Sequence, residues 1–132
     1  MLEKQYGVLP YYQRSGKTKI ILVTSRNSNQ WILPKGNRVS NKSKRESALQ
    51  EAYEEAGLTG QLDKELNFTF NIMSHGEMVE LTLYPMRVKT PLTKEWPEDH
   101  QRKRIEVSCK QAKSLVVWPE FESCMRLLRK TF

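Results

Sequence analysis

Glu51, Glu54 and Glu55 fall at one position, three further on and four further on, and Gly57 closes the run. A helix advances about 100° per residue, so these carboxylates share one side while Ala48, Leu49, Ala52, Tyr53 and Ala56 share the other. Three carboxylates within one turn repel each other unless positive charge sits among them. Hard divalent cations with oxygen ligands suit such a cluster, Mg²⁺ above all, with Mn²⁺ as a substitute. A solvated acidic face on an amphipathic helix is the alternative, and the cluster alone does not exclude it.

Upstream elements would have to hold these glutamates in place. Trp31-Ile32-Leu33-Pro34-Lys35-Gly36 is a short apolar run ending in Pro-x-Gly, the pattern of a strand entering a loop. Ser43 with Glu46 three residues later makes a capping box that starts the helix, and Gly57 is a natural stop.

Strand, loop, acidic helix and glycine stop together resemble the Nudix hydrolase family. The family signature is Gly, five residues, Glu, seven residues, then Arg-Glu-apolar-x-Glu-Glu-x-Gly-apolar. The frame is kept without insertion or deletion from Gly36 through Glu51, Ala52, Glu54, Glu55 and Gly57 to Leu58. Lys42 stands where the first Glu belongs, and Gln50 stands where the Arg belongs. In the family that Arg braces the neighbouring glutamates, so Gln50 is expected to hold them by weaker, neutral hydrogen bonds. If the loop carboxylate is only a missing helper, Lys42→Glu is expected to raise activity.

Composition fits a folded enzyme-sized unit. The chain has 132 residues, 38% of them hydrophobic and 28% charged, which predicts one soluble globular domain over 1–132. No apolar h-region follows Met1-Leu2-Glu3-Lys4-Gln5, and the longest aliphatic run, Ile20 to Val23, is too short for a bilayer. Cys109 and Cys124 lack metal spacing and read as reduced thiols of a cytoplasmic protein. A net charge of +7 steers polyanions toward the surface, whether a phosphorylated metabolite or nucleic acid. Nothing in the sequence sets the oligomeric state or indicates a membrane role.

Strands are expected at Tyr6 to Gln13, Lys19 to Ser25 and Trp31 to Leu33, with a turn at Gly16-Lys17. Two longer ones are expected at about 61–73 and 78–89, joined by a hairpin turn at Ser74-His75-Gly76-Glu77. Lys94 to Gln101 reads as a polar loop and Arg104 to Ser108 as a short strand. Lys110 to Val116 gives a helical turn or two, and Pro119 to Arg129 a terminal helix with proline in its first turn. Strands interleaved with two main helices predict an α+β fold with helices on both faces of a mixed sheet. That agrees with the α/β/α sandwich the Nudix resemblance implies.

The resemblance also implies chemistry, the hydrolysis of a diphosphate bond. Glu51 and Glu55 would be metal ligands, joined by the backbone carbonyl of Lys35, and Glu54 would be the general base for the attacking water. The whole chain from about Tyr6 to Leu127 is similar to the diphosphoinositol-polyphosphate phosphohydrolase branch, whose members act on inositol pyrophosphates and many on diadenosine polyphosphates. Val23-Thr24-Ser25-Arg26, Trp96-Pro97-Glu98 and Arg102-Lys103-Arg104 carry this likeness. By position in those stretches Ser25, Arg26, Arg102 and His75 would contact substrate phosphates, with Lys4 as a further candidate. Each has a plainer reading. Arg26 would be a solvated loop residue, His75 a turn residue, and Arg102-Lys103-Arg104 a basic surface patch or nucleic-acid contact. Trp96 and Trp118 are expected to pack. A domain that binds phosphorylated ligands without turnover is the alternative function, resting on Lys42 and Gln50.

Overall fold

In the computed structural model, which describes residues 2–130, Ser15 and Gly16 both take positive φ (52° and 77°). That pair turns β1 (Glu3–Arg14) back on itself as β2 (Lys17–Thr24). β3 (Trp31–Ile32) continues antiparallel beside β2, and β4 (Lys35–Asn37) pairs antiparallel with the start of β1. The acidic helix α1 (Lys44–Ala56) follows. β5 (Gly60–Leu62), β6 (Phe68–Ser74) and β7 (Glu77–Val88) complete the middle of the chain. β8 (Arg104–Ser108), α2 (Cys109–Leu115) and α3 (Phe121–Arg129) complete it.

All eight strands form one mixed sheet, running β3-β2-β1-β7-β5, with β4 on β1, β6 on β7 and β8 on β2. β1 and β7 are parallel over the registers Glu3↔Val79 to Tyr11↔Arg87. Their connection carries α1, as a parallel crossover requires. α1 packs on β1, β4, β2 and β7, whereas α2 lies against β2, β8 and α3, giving the expected α/β/α sandwich. Cover on both faces explains the unbroken buried runs Tyr6 to Pro10 and Ile20 to Thr24, which do not alternate as a one-sided sheet would. Leu9, Ile20, Leu22, Leu81, Leu83 and Met86 fill the sheet's core, with Phe121, Met125 and Leu128 from α3.

Three expectations are corrected. The segment 61–73 is two strands, because Asp63 Oδ1 accepts from the amides of Glu65 and Leu66 (2.9 and 2.7 Å) and turns the chain. Pro119 precedes α3 in a tight turn in which Phe121 N–H donates to Trp118 O (3.0 Å). β4 was hidden in what reads as a loop. It exists because Gly7 lets the Pro34-Lys35 backbone lie against β1; a Cβ there would stand 2.2 Å from Pro34 O. Cys109 and Cys124 are free thiols, and burial pushes Cys124 up to about 12. Among the described residues no helix is long and apolar enough to cross a membrane.

Candidate functional site

α1 is held at both ends. Ser43 Oγ accepts from Glu46 N–H (3.1 Å) and Glu46 Oε1 accepts from Ser43 N–H (2.9 Å), the expected capping box. At the other end Gly57 takes φ 67°, its N–H bonding Tyr53 O (2.9 Å) while Leu58 N–H bonds Ala52 O (3.1 Å). Arg104 donates to Ala56 O and Thr93 O (both 2.7 Å) and lies over the Trp96 ring at 4.2 Å. Trp96 Nε1 in turn donates to Glu55 O (2.9 Å). Ala48, Ala52 and Ala56 are fully buried, so the helix sits close against the sheet and carries its carboxylates to the β4 edge.

Two of those carboxylates meet there. Glu55 is 5% exposed, and its Oε1 accepts from Lys35 N–H (3.3 Å). Arg102 Nη2 lies 3.6 Å from its other oxygen. Burial pushes Glu55 well above the usual carboxylate range, and the hydrogen bond it shares with Glu51 adds to this, against the pull of Arg102. Burial raises Glu51 as well. Gly36 completes the cradle, since a Cβ there would stand 2.5 Å from the Glu51 carboxyl carbon and 2.7–2.8 Å from its oxygens. A buried and a half-buried carboxylate side by side, each raised by burial, fit a hard divalent cation beside the Lys35-Gly36 backbone of β4. Among the described residues no three carboxylate, imidazole or thiol groups converge into a closed cage. Mg²⁺ suits an open site of this kind, because it keeps several waters and takes substrate phosphates as ligands.

Glu54, one residue earlier, turns elsewhere. Its Oε1 accepts from Gln50 Nε2 (2.9 Å), and Gln50 Oε1 accepts from Lys42 Nζ (2.7 Å). The two departures from the signature therefore touch each other and the third glutamate.

The carboxylate pair lines a polar cleft of about 250 Å³ together with Ser25, Arg26, Lys35, His75 and Arg102. These expected residues are thus brought to one place. Lys35 contributes its side chain as well as its backbone: Nζ donates to Gln5 Oε1 (2.7 Å) and Ser74 Oγ (3.2 Å), and burial lowers its pKa. Arg102 is inward-facing, its side chain 7% exposed and paired with Glu98 at 2.8 Å. Its Nη1 also donates to Thr24 O (3.0 Å). With Arg104 spent on the end of α1, the run Arg102-Lys103-Arg104 is no basic surface patch. Lys4 is exposed and does not line the cleft, whereas Gln5 does. Successive strand residues face opposite ways, so that one-residue difference is decisive. Gln5, Asn37 and Glu98 are the site neighbours sequence reasoning missed, although Glu98 stands in the quoted Trp96-Pro97-Glu98.

Ser25, Ile32, Lys35 and His75 also wall a second hollow, of about 280 Å³. Its other walls are Asn27, Ser28, Gln30, Ser74, Met73, Val117 and Trp118. Lys35 is the one Lys or Arg among them, so this compartment is hydroxyl, amide and apolar in character. Trp118 packs edge-on to Phe70 (6.4 Å between centroids), as expected of a packing residue.

No protein-family model matches the chain. It is 30% identical over 115 residues to Nudix hydrolase 18, mitochondrial, of Arabidopsis thaliana, covering 81% of this chain and 65% of that protein. It is 34% identical over 106 residues to Nudix hydrolase 16, mitochondrial, of the same plant, covering 74% of this chain and 58% of that protein. The chain thus spans between half and two thirds of the length of these curated relatives. Among solved structures, the Ap4A hydrolase of C. elegans superposes with a TM-score of 0.82 at 19% identity, covering 99% of this chain and 98% of that one. The ADP-ribose-bound Nudix domain of Shewanella oneidensis NrtR gives 0.77 at 10% identity, covering 99% and 88%. The fold is that of the Nudix α/β/α sandwich.

Proposed function

We propose that this chain, which has the Nudix fold and resembles Nudix hydrolases in sequence, hydrolyses a phosphoanhydride bond in a polyphosphorylated substrate with the help of Mg²⁺. The adjoining carboxylates of Glu51 and Glu55 on the wall of a polar cleft, one against Gly36 and the other bonded to Lys35 N–H, are the observation that carries this reading. A divalent cation held there supplies charge neutralisation at phosphate oxygens and a more acidic water. The chain's own groups do the rest. Glu54 bonds to Gln50 and does not line the cleft itself. Its role as acceptor of the attacking water's proton rests on its position in the signature and requires its side chain to turn toward the pair. Arg26 and His75 at the cleft edge bind phosphate oxygens, and Ser25 donates a hydrogen bond. Arg102 holds Glu55 in place from its inner side.

Of the two substrate classes the sequence suggests, a dinucleoside polyphosphate suits the cavity better than an inositol pyrophosphate. Arg102 and Lys35 already have partners, which leaves few cations for a ring carrying many phosphates. The second hollow offers neutral hydrogen-bonding and apolar groups, as a nucleoside requires. The Ap4A hydrolase fold match is consistent with this choice.

Phosphate release from diadenosine polyphosphates, an inositol pyrophosphate and nucleotide sugars, with Mg²⁺ and with Mn²⁺, tests the reading. Turnover of the diadenosine compounds is expected, falling by roughly 10²–10⁴ in Glu54→Gln and to background in Glu55→Gln. Preference for the inositol compound would overturn the substrate choice. No turnover of any compound would leave a phosphate-binding domain in place of an enzyme.

A further inference from the structure

Lys42 and Gln50, the two residues that break the signature, are joined to each other and to Glu54. Lys42 Nζ donates to Gln50 Oε1 at 2.7 Å, and Gln50 Nε2 donates to Glu54 Oε1 at 2.9 Å. An ammonium has donors and no acceptor. Lys42 therefore fixes which way the Gln50 amide lies, oxygen toward the loop and NH₂ toward the glutamate. Without that cation the amide can turn over and present its oxygen to Glu54, which repels a carboxylate.

Lys42 is exposed, and a long exposed side chain holds a partner weakly unless its backbone is fixed. Here the backbone is fixed. Lys42 N–H donates to Val39 O (3.1 Å), Arg38 Nε donates to Lys42 O (2.8 Å), and Ser43, the next residue, is the helix N-cap. Gln50 and Glu54 lie four apart on the same helix, the spacing at which side chains meet. Every link of the chain from loop to glutamate thus rests on an element held by other bonds.

We propose that Lys42 and Gln50 are a matched pair of positioning residues, a cation–amide relay that sets the orientation of Glu54 in place of an acid–arginine brace. This rests on the reading that Glu54 serves the hydrolysis. The two departures are then one substitution of one device for another, and neither signals lost catalysis. It also reverses the expectation from the motif alone. Lys42→Glu by itself removes the donor that orients the amide and sets a carboxylate against Gln50, so it damages the site. Lys42→Glu combined with Gln50→Arg rebuilds an acid–arginine brace and repairs it.

The test is a double-mutant cycle with two readouts. Steady-state kinetics on the best substrate of the panel should show kcat lowered by roughly tenfold in Lys42→Glu and in Gln50→Arg, which sets two cations against each other, with KM little changed, within the range of coupling seen for contacting residues. The Lys42→Glu/Gln50→Arg variant should recover to within about threefold of the parent. Wild-type or higher kcat in Lys42→Glu would overturn the proposal, as would losses that merely multiply in the double variant. The second readout is the Gln50 side-chain amide in a ¹H–¹⁵N spectrum of the metal-free protein, which should shift in Lys42→Met and again in Glu54→Ala. An amide unmoved by either change overturns the relay whatever the kinetics. If the parent protein turns over nothing, the hydrolase reading fails while the spectrum still decides whether the relay exists.

Discussion

At the residue scale the decisive pair is Glu51 and Glu55, and its protonation has a measurable consequence. Glu55 is raised well above the ordinary carboxylate value chiefly by burial. A carboxyl raised in the folded state binds more protons there than in the unfolded chain once pH exceeds about 4.5, near the unfolded glutamate value. Stability therefore falls as pH rises from that value toward the folded pKa. Glu46 and Asp63, both held low by backbone amides, act in the opposite sense but below this window. The expected result is a metal-free Tm that declines through mildly acidic pH in the parent and declines less in Glu55→Gln. Mg²⁺ should raise the parent's Tm more at neutral than at acidic pH, because the cation competes with protons for the raised carboxyls of Glu51 and Glu55. A Tm profile identical in Glu55→Gln, with the same Mg²⁺ response, would remove Glu55 as the cation's ligand. Gly36 gives a second test. Its missing side chain makes room for the Glu51 carboxylate, so Gly36→Ala should weaken Mg²⁺ binding by titration calorimetry while the far-UV spectrum stays unchanged. The obstacle is a side-chain end that can move, not backbone.

At the element scale the acidic helix was readable because each signal was local. Ser43, Glu46 and Gly57 fix its ends through bonds within four residues, and its alanines mark the buried face. What the sequence hid was set by distant partners. β4 depends on β1 coming close at Gly7, and no pattern within Lys35–Asn37 announces a strand. Arg104 looks like surface charge until Ala56 O, Thr93 O and the Trp96 ring are placed beside it. Lys4 and Gln5 differ only in which side of β1 they take, which a single-sequence register cannot fix. These contacts imply different costs. Gly7→Ala drives a methyl into Pro34 O, a backbone atom fixed by the sheet, and should destabilise the fold by several degrees of Tm. Ser43→Ala removes one cap and should cost about 1 kcal/mol in urea unfolding, with m unchanged. Equal losses from the two changes would mean that β4 is not held by the close approach at Gly7.

At the scale of the whole molecule, the net charge of +7 and the few unpaired cations in the cleft lead to the same experiment. Much of the positive charge lies outside the cleft. Lys113, Arg126, Arg129 and Lys130 line a separate groove between α2 and α3, where Glu122 pairs with Arg126 at 3.5 Å. Such charge raises the encounter rate with a polyanion at low salt, when the Debye length is about 30 Å, and is screened once that length falls to about 8 Å. Charge inside the cleft acts at contact distance and is screened far less. Raising ionic strength from about 10 to about 150 mM should therefore lower kcat/KM for a dinucleoside polyphosphate several-fold and leave kcat nearly constant. Arg26→Gln should lower kcat/KM at both ionic strengths, because Arg26 lines the cleft itself. Arg126→Gln should lower it only at the lower one, and by less. If Arg126→Gln proved as harmful as Arg26→Gln at about 150 mM, the groove between the helices would be binding substrate directly, and the polar cleft would no longer account for recognition alone.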